Sequence, residues 1–314
     1  ALLYAAALLD FDIRWLWPSA QAEGALCSCP VTAEALTGAL HAMAQQGNTP
    51  FGVYVTSPDY LGGVQDIPAM AAVCRAQGVP LLVDNAHGAY LRFLPQNCHP
   101  IAQGAAMCCD SAHKTLPVVT GGAYLHLAHD APVQDEAAVR GALALFGSTS
   151  PSYLILQSLD ACNAMLAGDY PRRLVQCCAA LEGLRRSLNK TAAARQCPVP
   201  LAVAGAQQEP MKLTLDAAAL GCTGTALADA LRRAQLECEY ADPRYVVLMF
   251  TPENPPQDYT RLQTALEQLL AAVPAGLPRP ENRAGEFAAL QQQAVQCCTI
   301  RQAVLGAQVP CQLL

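Results

Sequence analysis

Five residues in one short span have the types and spacing for chemistry on a carbonyl group: Asp84, His87, Ser111, His113 and Lys114. Asp84 closes the apolar run LLVD, His87 follows three residues later, and Ser111-Ala112-His113-Lys114 comes directly after the Cys-rich run AAMCCD. The span from Leu81 to His126 holds four of the chain's six His and one of its three Lys, among 19 cationic residues in all. Arg supplies nearly all the positive charge, so an amine at Lys114 points to a nitrogen chosen for reactivity. Arg is never deprotonated in proteins and cannot form an imine; Lys can do both. The other two, Lys190 and Lys212, read as residues in ordinary polar settings.

A strand-end Asp with a Lys on a nearby loop is what pyridoxal phosphate requires. The Lys forms an imine with the aldehyde, and the Asp keeps the pyridine nitrogen protonated so that the ring can accept carbanion electrons. Ser111, three residues before the Lys, can reach a phosphate from the same loop. The same residues also allow a plainer reading, with Asp84 as a loop cap and Lys114 as a solvated surface residue.

The elements that must position these groups alternate. Thr32 caps a helix that stops at Gly47. Phe51–Thr56 reads as a strand, and SPDYLGGVQD as a Pro/Gly-rich loop at its carboxyl end. The helix IPAMAAVCRAQG and the strand VPLLVD follow. Strand–loop–helix–strand order predicts a parallel sheet with covering helices, whose ligands bind beyond the carboxyl ends of the strands. Thr56–Tyr60 and Asp84–His87 both fall there. A strand at 105–109, the SAHK loop, a strand at 122–127 and a helix at 134–145 come next. Then come a polar loop through Ser152 and helices at 152–167 and 171–189, with Pro171 in the first turn of the second. After a change of pattern near 191–200, strands at 211–215 and 245–250 and helices at 225–235 and 258–272 predict a small α/β domain. At the amino end, an apolar helical run precedes a strand-like segment, 12–17, on which Trp15 and Trp17 are expected to pack. The tail beyond Pro274 is Pro-punctuated and weakly helical.

Bulk properties narrow the function. With 314 residues, 53% hydrophobic and 14% charged, the chain can bury a large core. A formal charge of -6 and the lack of a basic stripe argue against a nucleic-acid partner, and no apolar run approaches the ~18 residues of a membrane span. The 15 Cys include three adjacent pairs and no CxxC, which suits small buried hydrophobes in a reducing compartment, the cytosol. A zinc reading built on Cys98, His99, Cys108, Cys109 and His113 is set aside, because neighbours on a strand face opposite ways; no metal is expected. The chain starts at Ala1 without a secretory signal pattern and reads as the middle of a domain.

Four segments together resemble the Orn/Lys/Arg decarboxylase family: VYVTSPDYLG (53–62), VDNAHGAYLRF (83–93), DSAHKTLPVVTGGAYLH (110–126) and LFGSTSPSYLILQSLD (145–160). Weaker echoes at 221–231 and 236–254 resemble its small domain. The resemblance implies an α/β fold of the aspartate-aminotransferase type. A mostly parallel sheet flanked by helices would form an N-terminally truncated large domain (1–165), followed by a connecting helix (166–199), a small α/β domain (200–275) and a tail (276–314) that begins a truncated region. It implies pyridoxal phosphate as cofactor, with Lys114 as the imine-forming lysine, Asp84 as the pyridinium partner, His87 near the ring and His113 beside the imine. Ser111 would hold the phosphate, and Thr149 would be lent to the phosphate site of a partner subunit, implying a homodimer or larger assembly with sites at its interface. The implied reaction is decarboxylation of ornithine, lysine or arginine. The family's Gly-Ser/Thr phosphate loop and ring-stacking His would lie before Ala1, so weak cofactor affinity is expected of this polypeptide. An aminotransferase or other lyase of the same fold, or a non-catalytic truncated subunit, are the alternatives. His99, His126 and His129 receive no catalytic role. Asp59 and Tyr60 either line the pocket or form a turn, and Glu239 and Asp242 either meet a cationic substrate or end a helix.

Overall fold

A computed structural model describes residues 2–18, 27–28, 30–274, 276–278, 295–307 and 309. The chain divides into two units, Ala25–Glu281 and a smaller one of Ala1–Gly24 with Asn282–Leu314. In the smaller unit, helix α1 (Leu2–Leu9) packs on helix α10 (Ile300–Leu305), and Arg301 donates to the Ala7 carbonyl at 3.1 Å. The expected strand at 12–17 does not form, and Trp15 and Trp17 are exposed rather than packed. Alternating apolar residues make a strand only where a sheet takes them up, and residues 12–17 belong to neither sheet of the described residues. The rest of the expected tail helix lies mostly outside the described residues.

The larger unit begins with α2 (Ala33–Gln45), whose cap Thr32 accepts from Ala35 N, followed by β1 (Val53–Thr56). Asp66 caps α3 (Ile67–Ala76), with a Pro in its first turn, and β2 (Leu81–Asp84) returns beside β1. β1, β2 and β3 (Met107–Asp110) are parallel, aligned so that Thr56 faces Asp84 and Asp84 faces Cys109. β4 (Tyr124–Leu127) adds to the edge of the sheet antiparallel to β3. The sheet is therefore α/β and mostly parallel, in the order β1-β2-β3-β4. One face of the three parallel strands, with Val53, Val55, Leu81, Val83, Cys108 and Asp110, is buried; on the other, Tyr54, Thr56 and Cys109 are exposed. Cys108 and Cys109 do face opposite ways.

SAHK is not a loop. It forms most of one helical turn, α4 (Ala112–Thr115), begun at Ser111. Helices α5 (Glu136–Phe146) and α6 (Tyr153–Ala167) lead to the 25-residue α7 (Tyr170–Ala194). Leu174, Leu181, Leu184 and Leu188 recur on one face of α7 at helical spacing and are buried. Each stabilises by about 1.5–3 kcal/mol relative to exposure. They share a core with Tyr90, with Leu213 and Leu215 of β5 (Lys212–Asp216), and with Leu262, Leu266 and Leu270 of α9 (Pro256–Ala271). β5 pairs antiparallel with β7 (Tyr245–Met249), which pairs with the short β6 (Tyr240–Ala241); α8 (Gly224–Arg233) packs against β6 and β7.

Candidate active site

The parallel strands end together, and the turns beyond them carry the reactive groups. Asp84 finishes β2 with both carboxylate oxygens engaged: Tyr54 O–H donates to Oδ2 at 2.9 Å and Ala86 N–H to Oδ1 at 3.1 Å. Burial, and next the charge of Asp84, raise the Tyr54 phenol well above its usual range, so it stays a donor.

Lys114 projects from α4 towards the turn after β2, and its Nζ lies 3.3 Å from His87 Nε2. His87 is buried, and that burial, with the charges of Lys212 and Lys114, pushes it down to about 3. A neutral imidazole can accept from the ammonium through Nε2, which places its own proton on Nδ1. That Nδ1 is buried without a partner, as are Asn85 Oδ1 and Thr115 Oγ1 in the same two turns. The Tyr60 ring meets His87 edge-on at 5.1 Å, and its hydroxyl donates to Glu239 at 2.8 Å. The hydrogen bond to Glu239, with burial, holds the Tyr60 phenol up to about 12.

The structure thus brings Asp84, His87 and Lys114 to one end of the sheet. Ser111 begins α4 with a side chain that makes no capping hydrogen bond. His113 is turned elsewhere: its Nδ1 donates to the Gly122 carbonyl at 2.9 Å, and successive positions on a helix do not face each other. Thr149 is exposed in the loop between α5 and α6. Tyr60 touches His87 as well as belonging to the turn after β1, and Glu239 is its hydrogen-bond partner. Asp242 serves locally, accepting from Arg244 N–H at 2.7 Å and Tyr245 N–H at 2.6 Å.

Two features escaped the sequence reading. Lys212 is not in an ordinary polar setting. It is 3% exposed on β5, and its Nζ donates to the carbonyls of Asp59 at 2.9 Å and Tyr60 at 3.3 Å. Burial lowers it, while the charges of Glu209 and Asp59 oppose that shift. With Thr214 Oγ1, which donates to the Leu61 carbonyl at 2.7 Å, it fastens the loop after β1 to the second sheet. The second feature is Asp110, the last residue of β3. Its Oδ2 accepts from His99 Nε2 and His126 Nε2, both at 3.0 Å, and its Oδ1 from Asn85 Nδ2 at 2.7 Å and Cys108 Sγ at 3.5 Å. Burial works to raise this carboxyl, but the hydrogen bonds from His126, His99 and Asn85 prevail and hold it well below the usual range.

His99, Cys108 and Asp110 bring ligand-type atoms within 4.8 Å of one another. Hydrogen bonding accounts for the group without an ion. Ile101 N–H points at His99 Nδ1 at 3.4 Å, so the ring's proton is on Nε2, where a metal would need a lone pair. Beside this cluster is a cavity of about 550 Å³, lined by Arg92, His99, Asp110, Tyr124, His126 and Asn163 among others; Lys114 and Asp84 do not line it.

Comparisons with known proteins agree with this geometry. The family described as Orn/Lys/Arg decarboxylase, major domain, matches residues 15–207. YaaO of Bacillus subtilis (strain 168), named as uncharacterized, is 32% identical over 63% of this chain and 41% of its own length. An arginine decarboxylase of the same organism is 29% identical over 69% of this chain and 45% of its own. The chain thus spans less than half the length of these curated relatives. In fold it is similar to the constitutive lysine decarboxylase of E. coli, with a TM-score of 0.66 and 20% identity over 86% of this chain and 44% of that one. Lysine decarboxylase A of Pseudomonas aeruginosa gives a TM-score of 0.67 at 19% identity, over 85% and 44%. The match runs over more than half of the sequence and takes in Asp84, His87 and Lys114 together, so this chain belongs to the Orn/Lys/Arg decarboxylase family.

Proposed function

We propose that this chain carries the catalytic lysine of a pyridoxal-phosphate-dependent decarboxylase of basic amino acids. The observation that carries the reading is the meeting of Lys114, His87 and Asp84 at the carboxyl ends of adjacent parallel strands. The residues fit the cofactor. An amine and a carboxylate stand at one end of the sheet, and His87 Nδ1 and Thr115 Oγ1 are buried polar atoms without partners in the turns that would enclose it. When bound, pyridoxal phosphate supplies an aldehyde for the amine and a sink for the electron pair that carbon dioxide leaves behind.

The chain's own groups supply the rest. Asp84, immobilised by Tyr54 and Ala86, offers a fixed negative charge to a protonated ring nitrogen. His87, uncharged, accepts from Lys114 Nζ without adding positive charge beside it. The proton that replaces the lost carboxylate on the substrate's α-carbon is held at Lys114 Nζ, because His113 is turned to the Gly122 carbonyl. Ser111, with its hydroxyl uncommitted to capping, serves the phosphate. Glu239, held by Tyr60, is the carboxylate for the distal cation of ornithine, lysine or arginine.

A homodimer with its sites at the interface is part of the proposal. Around Thr149, Leu145 (76%), Phe146 (64%), Tyr153 (84%) and Leu154 (71%) are exposed, and α5 buries no residue at all. Apolar surface of this extent is a mark of an interaction face, and Thr149 would reach the partner's phosphate site from it. Residues 1–165 would hold the cofactor, 166–199 connect, and 200–275 form the small domain, with 276–314 as a tail. Every described Cys is free, which suits the cytosol. No helix among the described residues is long and apolar enough to cross a membrane.

Two measurements test the reading: the visible imine absorption on adding pyridoxal phosphate, and carbon dioxide release from each basic amino acid by the whole protein. Lys114→Ala is expected to lose both. Retained absorption in that variant would overturn the assignment.

A further inference from the structure

Behind the Lys114–His87 contact, a buried side-chain bond also joins the two turns that carry Asp84 and Lys114. Asn85 directly follows Asp84, Asp110 directly precedes Ser111 at the start of α4, and Asn85 Nδ2 donates to Asp110 Oδ1 at 2.7 Å. We propose that the Asn85–Asp110 pair is a positioning brace, which sets the distance and angle between the Asp84–His87 turn and the helical turn of Lys114.

Asp110 acts from behind the site. Strand alternation puts its side chain on the buried face of the sheet with Cys108, and Asp84 and Cys109 on the other. It therefore has no path to a ligand held by Asp84 and works only through Asn85 and the backbone. Its remaining capacity is taken up by His99, His126 and Cys108. A buried carboxylate satisfied from four directions is rigid, and leaving any donor unmatched costs about 1–3 kcal/mol. Asn85 is fixed on its other side by the turn itself. Asn85 N–H donates to the Cys109 carbonyl at 2.9 Å, and Gly88 N–H to the Asn85 carbonyl at 2.8 Å. A Cβ at Gly88 would come within 2.0 Å of Asn85 Oδ1, so the turn closes over this side chain only because residue 88 has none. His87 lies inside the closed turn, which is how its Nε2 comes within reach of Lys114.

The brace has a meaning for catalysis only if Lys114 and Asp84 hold the cofactor as proposed above, so its test is kept independent of cofactor. The readout is the His87 ring in the 314-residue chain, followed by long-range nitrogen–proton NMR as pH is lowered. Asn85→Ala removes the bond outright. Asp110→Asn weakens it, because a neutral amide replaces the carboxylate that accepts from both His and from Asn85. Both variants are expected to loosen the turn that buries His87, so that the ring rises from about 3 towards its ordinary value of 6.5. His99→Gln removes one outer donor but keeps the Asn85–Asp110 bond, and is expected to leave His87 as in the parent. Should Asp110→Asn not fold, Asn85→Ala decides alone. A folded Asn85→Ala chain in which His87 still resists protonation would overturn the brace, and so would an equal release of His87 by His99→Gln. Reaction of Lys114 with pyridoxal phosphate, trapped by borohydride and mapped by mass spectrometry, is read separately. It should slow by about tenfold or more in the brace variants, as expected when a reacting group is displaced by an ångström or less. A parent chain whose Lys114 is not labelled would refute the cofactor reading and leave the His87 result to decide the brace.

Discussion

Lys114 Nζ stands 3.3 Å from His87 Nε2, a flexible cation held by a buried ring that stays uncharged. Burial chiefly keeps the imidazole uncharged, so it meets the amine as an acceptor. The consequences reach beyond the reaction.

The first concerns acid stability. His87 is held at about 3 in the folded chain against 6.5 as its ordinary value. On acidification the unfolded chain takes up this proton first, so stability falls as pH drops below about 6.5 and continues to fall towards the folded value. The contribution of this one group is about 1.4 kcal/mol per pH unit within that window. Urea unfolding at several pH values should give a difference between the parent and His87→Leu with that slope. A pH-independent difference would contradict it.

Lys212→Met should be costly. It takes the nearby positive charge from buried Glu209 and the ammonium donor from the Tyr60 carbonyl, and leaves the Asp59 carbonyl with Gly62 N–H alone. A loss of about 1–3 kcal/mol is expected from leaving buried polar groups without their donor. Lys190→Met, at an exposed position, should stay within about 0.5 kcal/mol of the parent. Denaturant midpoints of the two variants make the comparison.

Glu239→Gln separates two properties of Tyr60. The phenol, held up to about 12 chiefly by its bond to Glu239, should ionise at lower pH in the variant, measurable by ultraviolet titration. In the whole enzyme the same change should raise KM for the basic amino acid by about tenfold, the equivalent of ~1.4 kcal/mol, with a smaller effect on kcat. A shifted phenol with unchanged KM would remove Glu239 from substrate recognition.

Charge placed on the apolar surface around Thr149 should oppose self-association. Leu145→Lys with Phe146→Glu alters two exposed side chains, so folding should be unaffected while the sedimentation coefficient falls to that of a monomer. A monomeric parent chain would remove the dimer from the proposal.

Much of the site could be read in the sequence because its signals are local. Thr32, Asp66 and Pro171 mark helix starts within a residue or two of the observed ones. Asp84 and Lys114 stand out through the SAHK string and the strand before it. Lys212 could not be read in this way. Its environment is made by carbonyls about 150 residues earlier, and its own neighbours, Met211 and Leu213, look like any strand. Asp110 was similarly hidden, because its role depends on Asn85, His99 and His126 converging from three other segments. The segment 12–17 failed in the opposite sense, carrying a strand-like pattern but joining neither sheet of the described residues.

The fastening of the loop after β1 by Lys212 and Thr214 has a further result. Both side chains lie on one face of β5, while Leu213 and Leu215 on the other enter the helical core. A slip of one residue in this strand would drive a cation into that core and free the loop under Tyr60. The strand has a single tolerable alignment, and it is the one that grips the loop. Release of this loop is therefore not a hinge motion. It accompanies loss of the antiparallel sheet, so the loop and the sheet form and melt as one cooperative unit.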